Sequence, residues 1–218
     1  MNAVDFGALM FRPNPVVFDV GANAGQSIEW FKTIKPDCFI HAFEPDESMV
    51  AELQRKFAGD RMVKIVPSAL GNAETEALLR RTNKEGSQSL LAVDTNSPWA
   101  RTIGMRQVDS VPVRMTTIDR YCDANGIQIV DFLKLDVQGF EPECLMGASH
   151  ALSRGVIKVI QVEIIVSRLY ERVSSFLRIE SLIAQHGFFL FSFKDVVTTR
   201  QGAILQLDAI YTHKSIMA

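Results

Sequence analysis

Short apolar runs alternate with amphipathic stretches along the first third of the chain. Val16 to Val20 is apolar and rich in β-branched residues, and it closes on a glycine-containing turn, which predicts a buried strand. Ser27 to Ile34 then carries Ile28, Phe31 and Ile34 at helical spacing. Phe39 to Phe43 predicts a second strand, Ser48 to Phe57 an amphipathic helix with Met49, Val50, Leu53 and Phe57 on one face, and Val63 to Val66 a third strand. Strands alternating with helices in this way predict an α/β fold with a parallel sheet covered by helices.

The middle of the chain breaks this rhythm. Strand-like pieces at Ala77 to Arg80 and Val111 to Met115 flank a polar stretch with Gly86, Pro98 and Gly104, and no helical period runs through Asp94 to Asp109. Residues from about 80 to 115 are expected to form a loop-and-hairpin insertion over the sheet, a candidate substrate lid, within one domain spanning 1–218. Residues 1–14 form an N-terminal arm.

Regular patterning then returns. Thr117 to Ala124 predicts a short helix stopped by Asn125-Gly126, Val130 to Leu135 a strand, and Glu141 to Leu152 one helix. Val156 to Ile165 predicts a strand and Phe176 to His186 a helix ending at Gly187. Phe188 to Phe193 and Ile204 to Thr212 are expected to pair antiparallel at the sheet edge, with the phenylalanines at 188, 189, 191 and 193 in the core.

Composition narrows the function classes. With 23 basic and 25 acidic residues the chain is nearly neutral, so no charge excess points to nucleic acid or an anionic membrane. Cys38, Cys122 and Cys144 are odd in number and widely spaced, which suits reduced thiols rather than disulfides or zinc. The opening residues lack the apolar core of a signal peptide, and no apolar run approaches the roughly 18 residues of a membrane span. A cytoplasmic protein is expected. The sequence sets no oligomeric state, a homodimer being one option.

The decisive motif is Phe18-Asp19-Val20-Gly21-Ala22-Asn23-Ala24-Gly25-Gln26-Ser27, between the first strand and the first helix. Gly21 and Gly25 permit a tight turn against which a ligand can lie, and Glu44, about twenty residues on, ends the second strand where a carboxylate can accept ribose hydroxyls. A dinucleotide requires glycine where Asn23 stands, and Asp19 would repel its phosphates. S-adenosylmethionine brings an ammonium and a sulfonium but no phosphate, so acidic residues suit it. The plainer alternative is that Asp19 caps the helix and the glycines only make a turn.

Four segments, VFDVGANAGQS at 17–27, HAFEPD at 41–46, PSALGN at 67–72 and FLKLDVQGFEPECLMGA at 132–148, resemble the class I methyltransferases and, more closely, the FkbM family. Val162-Glu163 and the Asp208 to Thr212 strand fit the same pattern. The resemblance implies a Rossmann-like, seven-stranded, mostly parallel sheet in the order 3-2-1-4-5-7-6, with the last inserted strand antiparallel and helices on both faces. It also implies methyl transfer from S-adenosylmethionine, usually to a hydroxyl oxygen of a sugar, polyketide or antibiotic-like acceptor, whether small molecule or glycan.

In such sheets ligands bind outside the carboxyl ends of the strands. Asp19, Gly21, Asn23 and Gly25, with Ala22, Gln26 and Ser27 in the same turn, are assigned to the methionine moiety, and Glu44 to the ribose. Pro45 and Asp46 would shape the adenosine wall, and Ser68 and Ala69 would neighbour the adenine. Asp136, near the expected methyl, is the first candidate for the base or acceptor-orienting group, with Glu163 and Glu141 behind it. For Glu141, stabilisation of its helix start is the stronger reading. Asp136 and Glu163 could together hold Mg²⁺, but no third ligand is evident, so no metal is predicted. His41 reads as packed or partly exposed in its strand, and His150, His186 and His213 as surface histidines; Trp99 either stacks on a sugar or anchors the insertion. Competing readings are a nicotinamide-dependent oxidoreductase, which lacks a Tyr-x-x-x-Lys pair, an amine-directed methyltransferase, which lacks an Asn-Pro-Pro-Tyr-like segment, and a non-catalytic nucleoside-binding protein.

Overall fold

The computed structural model describes residues 5–216. Chain order gives α1 (Phe6–Leu9), β1 (Val16–Val20), α2 (Gln26–Ile34), β2 (Phe39–Phe43), α3 (Glu47–Lys56), β3 (Val63–Val66), β4 (Ala69–Leu70) and β5 (Thr75–Thr82). There follow α4 (Pro98–Thr102), β6 (Gln107–Thr116), α5 (Ile118–Asn125), β7 (Val130–Leu135), α6 (Glu141–Met146) and α7 (Ser149–Ser153). The chain closes with β8 (Ile157–Ile165), α8 (Phe176–Ala184), β9 (Phe188–Thr198), β10 (Ile204–His213) and a 3₁₀ turn at Lys214–Ile216.

The main sheet runs β3-β2-β1-β7-β8-β10-β9. Counting its own strands, this is the order 3-2-1-4-5-7-6 expected from the sequence. β10 lies antiparallel between β8 and β9, and the β1, β2, β3, β7 and β8 pairings are parallel. A sheet covered on both faces must be apolar on both, and β1, β7 and β8 are near-continuous apolar runs for that reason. On one face Phe18, Leu133, Leu135, Ile160 and Val162 pack beneath α5 to α8. On the other Val17, Phe132, Val159 and Ile210 pack against Phe6, Ile28, Phe31 and Leu53 of α1, α2 and α3. Burying each such side chain contributes about 1.5–3 kcal/mol. The N-terminal arm is therefore partly core: Asp5 caps α1 through the Ala8 amide, and Phe6 meets Trp30 edge-on at 4.8 Å.

The insertion is more ordered than its pattern suggested. β5 and β6 pair antiparallel and β4 joins β6, giving a second, three-stranded sheet. Residues 94–109 do contain a helix, α4, capped by Ser97 with Pro98 in its first turn. Five residues are too few to display a period, so only the cap and the proline could have announced it.

Two other expectations are corrected. The predicted helix from Glu141 to Leu152 is two helices, broken at Gly147-Ala148. A Cβ on Gly147 would lie 1.9 Å from the Gly71 carbonyl oxygen, and Asp119 of α5 accepts from the His150 and Ala151 amides, so tertiary contacts start the second helix afresh. Of the four phenylalanines assigned to the core, only Phe188 is buried; Phe189, Phe191 and Phe193 are 56, 49 and 47% exposed. β9 is the sheet's edge, where only Phe193 meets a helix residue, Phe176 of α8, among the ring contacts of the described residues. Two of the histidines expected at the surface, His150 and His186, are not buried, whereas His213 is buried beside Phe188 and bonds Ser215. His41 is buried against Phe18 and Tyr121, bonds the Tyr121 hydroxyl at 2.8 Å, and is held neutral by burial, its pKa pushed down to about 4.

The Gly147 contact gives a direct test. Gly147→Ala should lower unfolding free energy by roughly 2–3 kcal/mol in urea titrations, through overpacking. Gly59→Ala, with nothing within 4 Å of its new methyl, should stay within about 1 kcal/mol of the parent.

Candidate active site

The strand ends of β1, β2 and β7 converge on one partly open cavity. Gly21, Asn23, Glu44, Pro45, Ser68, Ala69 and Asp136 line it, so these sequence-predicted residues are brought together. Gly86, Gln88, Ser89 and Leu90 of the insertion also border it, with Leu79, Val137, Gln138 and Phe140. None of these positions is Lys or Arg, and Glu44 and Asp136 are the carboxylates among them.

The turn after β1 is built by close approach. Gly21 has φ of 85°, and a Cβ there would sit 1.9 Å from the Asp136 carbonyl oxygen. Its bare backbone therefore lets the β1 and β7 ends meet. Gly25, at φ of 83°, heads α2 and faces Leu53 of α3 and Phe57 at that helix's end instead of the cavity. Asn23, at φ of 45°, donates its amide to Glu44 Oε2 at 2.9 Å, while Asp46 donates to Oε1 at 2.8 Å. Glu44 thus ties the β1 and β2 turns together and keeps further lone pairs for a ligand. Burial pushes its pKa up to about 7, against those two bonds. Asp46 lies beside the cavity's lining residues, capping α3 through Ser48 and pairing with Arg81 of β5 at 2.6 Å. That pair fastens the insertion to the main sheet.

Asp19, Ala22, Gly25, Gln26 and Ser27 do not line the cavity. Asp19 is wholly buried; its Oδ2 accepts from the Ser27 hydroxyl at 2.5 Å, and its Oδ1 lies 3.8 Å from the Lys134 ammonium without a hydrogen bond. Burial raises its pKa, with Lys134 and Ser27 acting against that rise. Lys134 is the functional residue that pattern reading missed. It is the lone cation in the apolar strand VDFLKL, opposite Asp19 in the β1–β7 register, and that isolation was the available signal. Its ammonium reaches Asp136 Oδ2 at 3.0 Å. Burial works to neutralise Asp136, but Lys134 prevails, with bonds from Gln138 and Glu163, and holds the carboxyl below its usual range.

Neither Glu141 nor Glu163 lines the cavity. Glu141 Oε1 accepts from the Val137 and Gly139 amides at 3.0 and 3.1 Å, shaping the loop after β7, while burial raises it to about 7. Glu163 accepts from Gln138 at 2.7 Å and Gln206 at 2.9 Å. Burial and the neighbouring Asp136, Glu141 and Asp208 push its pKa well up. Among the described residues, no group of three His, Cys, Asp or Glu side chains is placed to hold a metal ion. Nor is any helix there long and apolar enough to cross a membrane. Trp99 is half-buried in α4 and does not line the cavity.

Similarities to known proteins agree with this geometry. The chain is 12% identical to the Methanococcus jannaschii fibrillarin pre-rRNA processing protein, with a TM-score of 0.53 over 94% of this chain and 69% of that one. It is 9% identical to an rRNA methylase from Streptococcus thermophilus, with a TM-score of 0.52 over 96% and 92%. These establish the fold, the class I methyltransferase sheet. In sequence it is 23% identical over 174 residues to the 2-O-methyltransferase NoeI of Sinorhizobium fredii, covering 75% of this chain and 69% of NoeI. It is 25% identical over 199 residues to the 31-O-demethyl-FK506 methyltransferase FkbM of Streptomyces tacrolimicus, covering 81% and 74%. The profile of the methyltransferase FkbM domain matches residues 19–190, most of the chain, which makes this protein a member of the FkbM family of S-adenosylmethionine-dependent methyltransferases.

Proposed function

We propose that the protein transfers the methyl group of S-adenosylmethionine to a hydroxyl oxygen of a small molecule or glycan, such as a sugar, a polyketide or an antibiotic-like acceptor. The observation that carries this reading is Asp136: a carboxylate kept ionised by Lys134, with its side chain 37% exposed at a cavity that Glu44 borders as well. The oxygen-directed chemistry named for NoeI and for the FK506 methyltransferase supports the same choice. The chain's own setting adds three buried, unpaired cysteines, which suit a reducing, cytoplasmic compartment.

S-adenosylmethionine, when bound, supplies an electrophilic methyl on sulfur. Glu44 would accept the ribose hydroxyls, Ser68 and Ala69 would flank the adenine, and Gly21 and Asn23 would meet the methionine part. Asp136 would accept the proton of the acceptor hydroxyl as its oxygen forms the bond to carbon, and the sulfur keeps the electron pair of the bond that breaks. Removing that proton is worth about 10²–10⁴-fold. Asp19 acts from beneath, as the second counter-charge of Lys134. The insertion, through Gly86 and Gln88 to Leu90, would cover the bound pair and exclude water. The cavity's lack of a cation weighs against the nicotinamide reading.

The first test is a screen of hydroxylated acceptors with methyl-labelled S-adenosylmethionine. Asp136→Asn should then lower turnover by about 10²–10⁴-fold and leave S-adenosylhomocysteine affinity nearly unchanged; normal turnover would remove Asp136 as the base. Glu44 gives a pH signature. Its raised pKa means the ionised, hydroxyl-accepting form is lost as pH falls through about 7. S-adenosylhomocysteine should bind roughly fivefold more weakly at pH 6 than at pH 7, and Glu44→Gln should flatten that dependence. Lys134→Met should cost roughly 3–5 kcal/mol in unfolding free energy, because it strands buried carboxylates. Adding Asp19→Asn should recover part of the loss.

A further inference from the structure

We infer that Gln138 is a positioning residue for the reaction centre and that Tyr170 anchors the far end of its side-chain amide. The inference rests on reading Asp136 as the group that meets the acceptor hydroxyl. Gln138 follows β7 with φ of 56°, in the left-handed region where a side chain is disfavoured, and Gly139 follows at 96°. A non-glycine residue there costs about 1–3 kcal/mol and persists only where surrounding contacts hold it.

Those contacts are all present. The Nε2 of Gln138 donates to Asp136 Oδ1 at 3.1 Å and to Glu163 Oε2 at 2.7 Å. Its Oε1 lies 3.0 Å from the Tyr170 hydroxyl, whose single proton is shared between that oxygen and the Ser87 carbonyl at 2.8 Å. The backbone carbonyl of Gln138 accepts from the Ser89 hydroxyl at 2.7 Å. A reversed amide would turn its oxygen toward the ionised Asp136, so Asp136 sets the orientation, and in that orientation Oε1 faces the buried Tyr170 hydroxyl.

With Lys134 on Oδ2 and Gln138 on Oδ1, both oxygens of Asp136 are pinned. Its remaining lone pairs then have a fixed direction at the cavity. The amide does this without neutralising the carboxylate, which a second cation would do. Tyr170 and Gln138 each also bind residues 87–89 of the insertion, so seating that loop and aiming Asp136 are one event. Misaiming a reacting group by about 1 Å can cost 10²-fold in rate.

The test has an arm that needs no acceptor. In ¹⁵N-labelled protein the Gln138 side-chain amide, assigned by its loss in Gln138→Leu, should show two resolved protons protected from solvent. In Tyr170→Phe they should broaden and move to exposed-glutamine positions; an unchanged pair would overturn the inference. On the first acceptor that the wild type methylates, Tyr170→Phe and Gln138→Leu should lower kcat about tenfold or more while the KM for S-adenosylmethionine stays nearly constant. Gln138→Glu should be poorest at pH 8 and regain rate toward pH 6, as the new carboxyl takes up a proton it can donate. Unchanged kcat, or a flat pH response, counts against the proposal. Asp136→Asn separates the two claims. Full turnover in that variant sinks the reading of Asp136 itself, whereas an inactive Asp136→Asn beside fully active Gln138→Leu and Tyr170→Phe sinks only the role of Gln138.

Discussion

A lysine ammonium held between two aspartates, inside the face of a sheet, is the interaction on which the rest of the site depends. Taking charges out of water costs several kcal/mol per ion, and the attraction between them repays this only with good geometry and further hydrogen bonds. Here the geometry comes from register: Asp19 and Lys134 are opposite each other across β1 and β7, with Asp136 two residues further along the same strand face. The remaining demand is met by Ser27 on Asp19 and Gln138 on Asp136. Such an arrangement is a poor way to stabilise a sheet and a good way to keep one carboxylate ionised next to an apolar core.

Two glycines and one ion pair convert this sheet into an enclosure. Gly21 lets two strand ends approach to backbone contact, and Gly25 lets α2 and α3 close behind them. Arg81 then anchors the small second sheet to the first through Asp46, at the cap of α3. Specificity and chemistry are thereby divided. The main sheet provides the cavity's carboxylates, while the insertion provides neutral, hydrogen-bonding walls such as Gln88 and Ser89.

The parts of the fold that were legible in sequence are those set by local pattern or by a strongly constrained turn. β1, β2 and β7 follow from apolar runs and from motifs whose glycines have no substitute, whereas the strand order came only with the family resemblance. Glu44 and Asp136 were legible because they end strands. What stayed hidden depends on distant partners. The break at Gly147 is imposed by Gly71, far away in sequence, and α4 is too short to repeat. Phe189, Phe191 and Phe193 have the composition of a core but lie on the strand where the sheet happens to end. Asp19 stands at the motif position expected of a ligand contact, and its place opposite Lys134 follows only from pairing β1 with β7. Gln138 and Tyr170 are 32 residues apart, and nothing in either segment announces the other.

The three thiols have a use that their packing confers. Cys38 lies in the α1–α3 side of the core, and Cys122 and Cys144 lie on the α5–α8 side. Burial pushes Cys38 to about 11 and Cys122 to about 12, and raises Cys144 well above the ordinary thiol value. Thiolate is the reactive form, so an alkylating reagent meets none of them until the layer above has opened. The native chain thereby carries an internal reporter for each face of its sheet, and the order in which the cysteines become labelled records which helical layer lifts first.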